Sequence, residues 1–125
     1  MYGPDRLIEE LTALGHRAEL VTANGNAFAV IRGYQVPLGR FAGRVIDLAI
    51  PATADFPRSV GASIHVRCSP QLFEKADTVP NVRNIIDSAL GPEWRYWSHN
   101  FYWQGETERS AARLMAKING VFERA

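Results

Sequence analysis

Hydrophobic residues near the start of the chain recur with the period of an α-helix. Leu7, Leu11 and Leu14 are spaced i, i+4, i+7, so they would lie along one side of a helix. Pro4 suits the first helical turn, where a missing backbone N–H costs nothing, and Gly15 is a natural end. The pattern predicts an N-terminal helix with a single apolar stripe.

Four β-rich runs follow this helix. They cover residues 18–23, 27–34, 45–50 and 62–68. The first two runs flank Asn24-Gly25, a pair typical of tight hairpins because both residues tolerate a positive φ, and Pro51 ends the third run. We therefore expect four strands that form one antiparallel meander.

The fourth run alternates between apolar and polar side chains. One side of the strand would carry Ile64, Val66 and Cys68, and the other side Ser63, His65 and Arg67. The phase of Cys68 predicts a buried structural cysteine rather than a reactive thiol, because its basic neighbours would lie on the opposite face.

The pattern is less regular beyond Pro70. Hydrophobic residues within 81–90 fit either a helical or an extended-loop spacing, and the aromatic-rich run 93–103 predicts an irregular segment. Near the end of the chain the apolar residues return to helical spacing; they are Ala111, Leu114, Ile118, Val121 and Phe122. Residues 1–125 are thus predicted to form one α+β domain: an N-terminal helix, a four-stranded antiparallel meander and a C-terminal helix, with helices at one face and the ends of the sheet.

Charge and composition narrow the classes of function. Fourteen basic and thirteen acidic residues, with no long run of either sign, disfavour a nucleic-acid partner. No apolar stretch approaches the roughly 20 residues of a membrane helix, so no membrane partner is expected. The start of the chain lacks the apolar core of a signal peptide, and a single cysteine suits a reducing compartment, so we predict a cytoplasmic protein.

The sequence carries no motif for a metal or a cofactor. One cysteine excludes a cysteine-rich zinc cage, and His16 and His65 stand outside any ligand spacing. We therefore predict neither a metal nor a cofactor.

The run EWRYWSHNFYW, residues 93–103, holds six aromatic residues and all three tryptophans of the chain. Large rings fill the space between a sheet and a helix, so most of the following are expected in the core: Trp94, Trp97, Phe101 and Trp103. Tyr96 and Tyr102 each carry a polar tip, which makes them the candidates for contact with a partner.

Two earlier stretches resemble the ubiquitin-conjugating fold. Gly39 and Phe41 precede the third predicted strand, and the pair Phe56-Pro57 follows it, as in the middle of that fold. The stretch VPNV, residues 79–82, is similar to the fold's His-Pro-Asn tripeptide, with Val79 in place of the histidine.

Residues 93–118 resemble a bacterial branch of that superfamily, the prokaryotic ubiquitin-conjugating-enzyme family E. Its Trp-x-x-Trp-Ser motif, nearby histidine and further tryptophan before the last helix match Trp94, Trp97, Ser98, His99 and Trp103. The resemblance implies a ubiquitin-conjugating-enzyme-like component of a bacterial ubiquitin-like protein conjugation pathway. Its partners would be a ubiquitin-like modifier protein and a ThiF-type activating enzyme.

The resemblance also implies a thioester-forming cysteine after the tripeptide, but residues 85–91, IIDSALG, contain none. Ser88 lies near that position and could carry the modifier as an oxyester if a base removes its proton. His99, Asp77 and Asp87 are the candidate bases. The alternative for Ser88 is an ordinary polar residue at a helix or turn boundary.

Two further residues have a catalytic and a structural interpretation. Asn81 resembles the asparagine that supports the developing oxyanion in the conjugating enzymes, yet Pro80-Asn81 is also a common turn pair. His99 could act in general acid-base chemistry or sit hydrogen-bonded in a structural corner. The function is therefore either a transferase that works through an oxyester or a non-catalytic adaptor that binds the modifier or its activating enzyme; an unrelated α+β binding module is the third interpretation.

Overall fold

The computed structural model describes residues 1–125 and shows an α+β arrangement of two helices and one six-stranded sheet. In chain order the elements are α1 (Pro4–Ala13), β1 (Ala18–Ala23), β2 (Asn26–Gln35), β3 (Val45–Pro51), β4 (Ser63–Arg67), β5 (Ile85–Ser88), β6 (Gly91–Ser98) and α2 (Ala111–Arg124). All strand pairs are antiparallel, and the strand order is β1-β2-β3-β4-β6-β5. Neither helix is long and apolar enough to cross a bilayer.

The first four strands form the predicted meander. The turn between β1 and β2 places Asn24 at φ 51° and Gly25 at φ 78°, the left-handed conformation that this pair tolerates. Ala23 then pairs with Asn26, which fixes the register of the hairpin. The predicted hairpin at Asn24-Gly25 is therefore confirmed.

The predicted strand count of four is wrong, because residues 85–98 add a hairpin to the sheet. β6 pairs with β4, and β5 pairs with β6 at the sheet edge. Residues 93–98 of the aromatic run belong to strand β6, whereas residues 99–103 are irregular as predicted. The alternation of the strand sends Trp97 and Tyr96 to opposite faces. Aromatic residues favour strands, but here they occupy adjacent positions, so the alternation of apolar and polar side chains typical of a strand is not visible in the sequence.

The main core lies between the inner face of the sheet and the helices. Trp97 is 1% exposed in this core, and all five residues of the predicted C-terminal stripe are buried there. From α1 only Leu7 and Leu11 are buried; Leu14 lies just past the helix end and is 47% exposed, so its inclusion in the stripe was wrong.

The connection between β2 and β3 packs tightly against α2. Gly39 has φ 83°, and a Cβ atom built there would collide with the backbone of Phe122 and Glu123. A glycine is required at this point both by its left-handed backbone and by the close approach of the helix. The contact ties the C-terminal end of α2 to the sheet.

The opposite face of the sheet, here called the outer face, carries a smaller apolar cluster: Phe28, Val30, Ala49 and Trp94. Strand register aligns the row Val30, Ala49, His65, Tyr96 and Ile86 across five strands. This row places an imidazole in the middle of the outer face.

Candidate functional site

A short chain of hydrogen-bonding side chains crosses the outer face at His65. The imidazole Nδ1 lies 2.7 Å from the Ser88 hydroxyl oxygen, and Nε2 lies 3.4 Å from the Ser63 hydroxyl oxygen. The Leu90 backbone N–H donates a second hydrogen bond to Ser88 Oγ at 3.1 Å. A hydroxyl and a nitrogen base are therefore in direct contact.

The β5–β6 hairpin brings Ser88 to this position. Asp87 pairs with Arg95, but the next residue, Ser88, pairs with Gly91, so the register shifts within the hairpin. Such irregularities re-aim side chains. Here the shift accompanies contact between the Ser88 hydroxyl and a histidine on β4, the strand beyond β6.

Burial controls the protonation of His65. The residue is 4% exposed, and the rings of Phe28 and Tyr96 meet it edge-on at 5.0 and 5.2 Å between centroids. Because the apolar surroundings disfavour the charged form, the pKa of His65 falls to about 4. The imidazole is neutral at pH 7 and has one nitrogen free to accept a proton.

A cavity of about 800 Å³ reaches this histidine. Ser63, His65, Ala89 and Tyr96 form part of its wall, and the other contributors come from the N-terminus of α1, the β1–β2 turn and the segment after β3. The lining includes one carboxylate, that of Asp55, and no lysine or arginine. The cavity therefore suits an uncharged group better than an anion.

A second depression, here called the hollow, has a volume of about 590 Å³ and lies at the other side of Tyr96. Four of the five predicted site residues line it together: Asn81, Tyr96, His99 and Tyr102. The His99 Nδ1–H donates to the Asn81 backbone carbonyl, which ties the residue after β6 to the turn at 79–82. These residues share a surface; their catalytic and binding roles stay predictions.

The remaining predicted residue, Ser88, does not line the hollow. Its partner is His65, and the three bases considered from the sequence have other partners. His99 bonds the Asn81 carbonyl, the Asp77 carboxylate accepts from the Glu74 N–H at 2.8 Å, and Asp87 pairs with Lys75 at 3.1 Å.

Sequence reasoning missed His65 as a functional candidate. The available signal was its position between Ser63 and Arg67 on the polar side of a strand whose other side is apolar. That signal places His65 on the outer face but does not indicate Ser88 as its neighbour. The contact depends on the β5–β6 hairpin, which was not predicted.

Cys68 lies apart from both depressions. It is half-buried, packs against the main core and lines a cleft with Asp47 and Arg67. Burial raises the pKa of its thiol, so little thiolate forms at neutral pH. The position agrees with the structural interpretation of this cysteine.

No three His, Cys, Asp or Glu side chains come close enough together to hold a metal ion. Comparison of the chain with family models, with curated proteins and with solved structures found no match.

Proposed function

We propose that this protein is a ubiquitin-conjugating-enzyme-like component of a bacterial ubiquitin-like protein conjugation pathway. The observation that carries the proposal is the convergence of Asn81, Tyr96, His99 and Tyr102 on one hollow. These residues come from the two stretches, 79–82 and 93–118, that resemble the conjugating enzymes.

The hollow offers groups that can contact the extended, glycine-ended C-terminal tail of a ubiquitin-like modifier. The Asn81 side-chain amide can donate to a carbonyl oxygen of the tail, and the two tyrosine rings offer flat surfaces with polar tips. Tyr96 also contacts His65, which in turn contacts Ser88, so the rings of Tyr96 and His65 lie between the hollow and the Ser88 hydroxyl.

In this proposal Ser88 receives the modifier from the thioester of a ThiF-type activating enzyme. The Ser88 oxygen attacks the thioester carbonyl, the carbon–sulfur bond breaks, and the enzyme thiol leaves with the proton that the hydroxyl loses. The product is an oxyester at Ser88, which replaces the thioester of a cysteine-dependent enzyme.

The test uses the full chain with ATP and with the ubiquitin-like protein and activating enzyme encoded beside its gene. We expect a covalent adduct on Ser88 that resists thiol at neutral pH and is released by hydroxylamine. A thiol-cleaved adduct on Cys68 contradicts the oxyester. Absence of both partner genes from the neighbourhood contradicts the pathway.

A second candidate function is a non-catalytic adaptor for the modifier or its activating enzyme. It is favoured by exposed apolar surface at the hollow, where Ile86 is 47% exposed and Tyr102 is 53% exposed. An adaptor forms a stoichiometric complex without a covalent species. Ser88→Ala would then leave pathway output intact, whereas Tyr102→Ala would weaken the complex.

A further inference from the structure

We propose that His65 and Ser88 form an acyl-transfer dyad toward uncharged esters and thioesters, in which Ser88 is the nucleophile and His65 is its base. His65 and Ala89, the residue after Ser88, line the 800 Å³ cavity through which such a substrate would approach the pair. The dyad rests on the proposed function only for the identity of its natural acyl donor, the modifier thioester. The reactivity of the pair toward a small ester does not depend on any modifier.

Geometry assigns Ser88 as the nucleophile and Ser63 as a positioning residue. The Ser88 oxygen is 2.7 Å from Nδ1, within the range that proton transfer needs, whereas the Ser63 oxygen is 3.4 Å from Nε2. When Nε2–H donates toward Ser63, Nδ1 keeps its lone pair for the Ser88 proton. The Leu90 N–H occupies another site on Ser88 Oγ and helps to aim the hydroxyl proton at Nδ1.

Burial makes His65 an available but weak base. Its pKa of about 4 keeps the imidazole unprotonated across the neutral range, although a base works best with a pKa near the operating pH. The other titratable groups of the cavity are the Tyr96 phenol and the Asp55 carboxylate. We therefore expect slow acylation whose rate does not show the usual histidine inflection between pH 6 and 7.

The substrate class follows from the lining of the cavity. Phe28, Pro51, Ala52, Ala89 and Tyr96 supply apolar surface, and no lysine or arginine is present to pair with an anion. An ester with a short aliphatic acyl group meets these conditions.

The chemical step is balanced without any cofactor. The Ser88 oxygen attacks the ester carbonyl, its proton passes to His65 Nδ1, and the bond to the leaving oxygen or sulfur breaks. The leaving group takes up the proton and departs, which leaves an acyl-serine and a neutral imidazole.

The experiment treats the full-length protein with p-nitrophenyl butyrate, follows release of p-nitrophenolate and maps the butyryl group by peptide mass spectrometry. We expect the group on Ser88. Ser88→Ala and His65→Gln should each lower the acylation rate by roughly 100-fold or more, the usual contribution of a base or nucleophile. The acidic ester mono-p-nitrophenyl succinate should react more slowly than the neutral butyrate.

Matched controls separate a dyad from general reactivity. Ser69→Ala and His16→Gln replace the same residue types away from the His65–Ser88 pair and should acylate at the parent rate. Near-UV circular dichroism checks that each variant is folded, and mapping of the parent protein decides the site even where His65→Gln is unfolded. Butyrylation of Ser63, Cys68 or lysines alone overturns the proposal, as does a folded His65→Gln variant that reacts at the parent rate.

The same variants distinguish this inference from the proposed function. A Ser88 butyryl adduct with no transfer of the modifier supports the dyad and contradicts the pathway. A modifier adduct on Ser88 that persists in His65→Gln supports the pathway and contradicts the dyad.

Discussion

At the scale of single residues, His65 shows how the position of a side chain in the sheet sets its chemistry. It lies in the centre of the outer face between two aromatic rings, with a serine at each ring nitrogen. No acidic side chain contacts it to stabilise the charged form. Burial lowers the pKa of His65, so protonation of His65 works against the folded state.

This burial predicts a loss of stability in mild acid. The unfolded chain binds a proton at His65 below pH 6.5, whereas the folded protein does so only near pH 4. The free energy of unfolding should therefore fall as the pH drops from 6.5 to 4, by on the order of 3 kcal/mol from this residue. Urea denaturation at pH 7 and pH 4.5 measures the effect.

The control for this prediction is His65→Gln, which removes the titrating group while keeping a hydrogen-bonding side chain. Its stability should fall less than that of the parent between the two pH values. An equal fall in both proteins would show that other groups, such as the carboxylates, account for the acid sensitivity.

At the scale of elements, α2 begins with two capping contacts. The Ser110 hydroxyl accepts a hydrogen bond from the Arg113 N–H at 3.2 Å, and the Glu10 carboxylate of α1 accepts one from the Ala111 N–H at 2.8 Å. The first N–H groups of a helix have no partner inside it, so both contacts stabilise its start. The second also joins the two helices.

Removal of the serine cap should destabilise the protein. Ser110→Ala leaves the Arg113 N–H without its side-chain partner and should lower the free energy of unfolding by about 1 kcal/mol. Ser110→Asn keeps a capping oxygen and should remain close to the parent. Thermal denaturation of the three proteins measures the difference, and equal midpoints for Ser110→Ala and the parent would contradict the role of the cap.

Elements with strong local signals could be predicted from the sequence, and the short β5–β6 hairpin, whose pattern is weak, could not. Pro4, the Asn24-Gly25 turn and the C-terminal stripe each fix an element through neighbouring residues. β5 is only four residues long, and its alternation, with Ile85 buried and Ile86 exposed, becomes visible only when it pairs with β6. The strand count was therefore underestimated.

The same distinction applies to the candidate site. The resemblance to the conjugating enzymes points to Asn81 and His99, and the polar tips of Tyr96 and Tyr102 make these tyrosines candidates for partner contact. The structure brings all four residues to one hollow. Ser88 was chosen from its position after the tripeptide, but its histidine partner lies 23 residues earlier. That contact follows from the pairing of β4, β6 and β5, which no short stretch of sequence encodes.

At the scale of the whole molecule, one large core supports the sheet from the helix side. Trp97 lies within it, with Phe73 and Phe122 at centroid distances of 5.4 and 5.6 Å. These rings join the β5–β6 hairpin to α2 and to the segment after β4. Loss of Trp97 would therefore affect contacts between several parts of the chain.

Trp97→Ala should lower the free energy of unfolding by about 3–5 kcal/mol, because it removes a large ring and leaves a cavity. This cost is a large fraction of the total stability of a domain, about 5–15 kcal/mol. Urea denaturation measures it. Trp97→Phe keeps much of the ring volume and should cost less; equal losses for the two variants would contradict the packing argument.

Tyr96 separates the two depressions of the outer face, since it belongs to the walls of both. One aromatic ring is thus a partition between the imidazole on one side and the Asn81 turn on the other. A molecule long enough to occupy both compartments has to pass over this ring or push it aside. Shortening the side chain at this single position would join the compartments into a continuous trough.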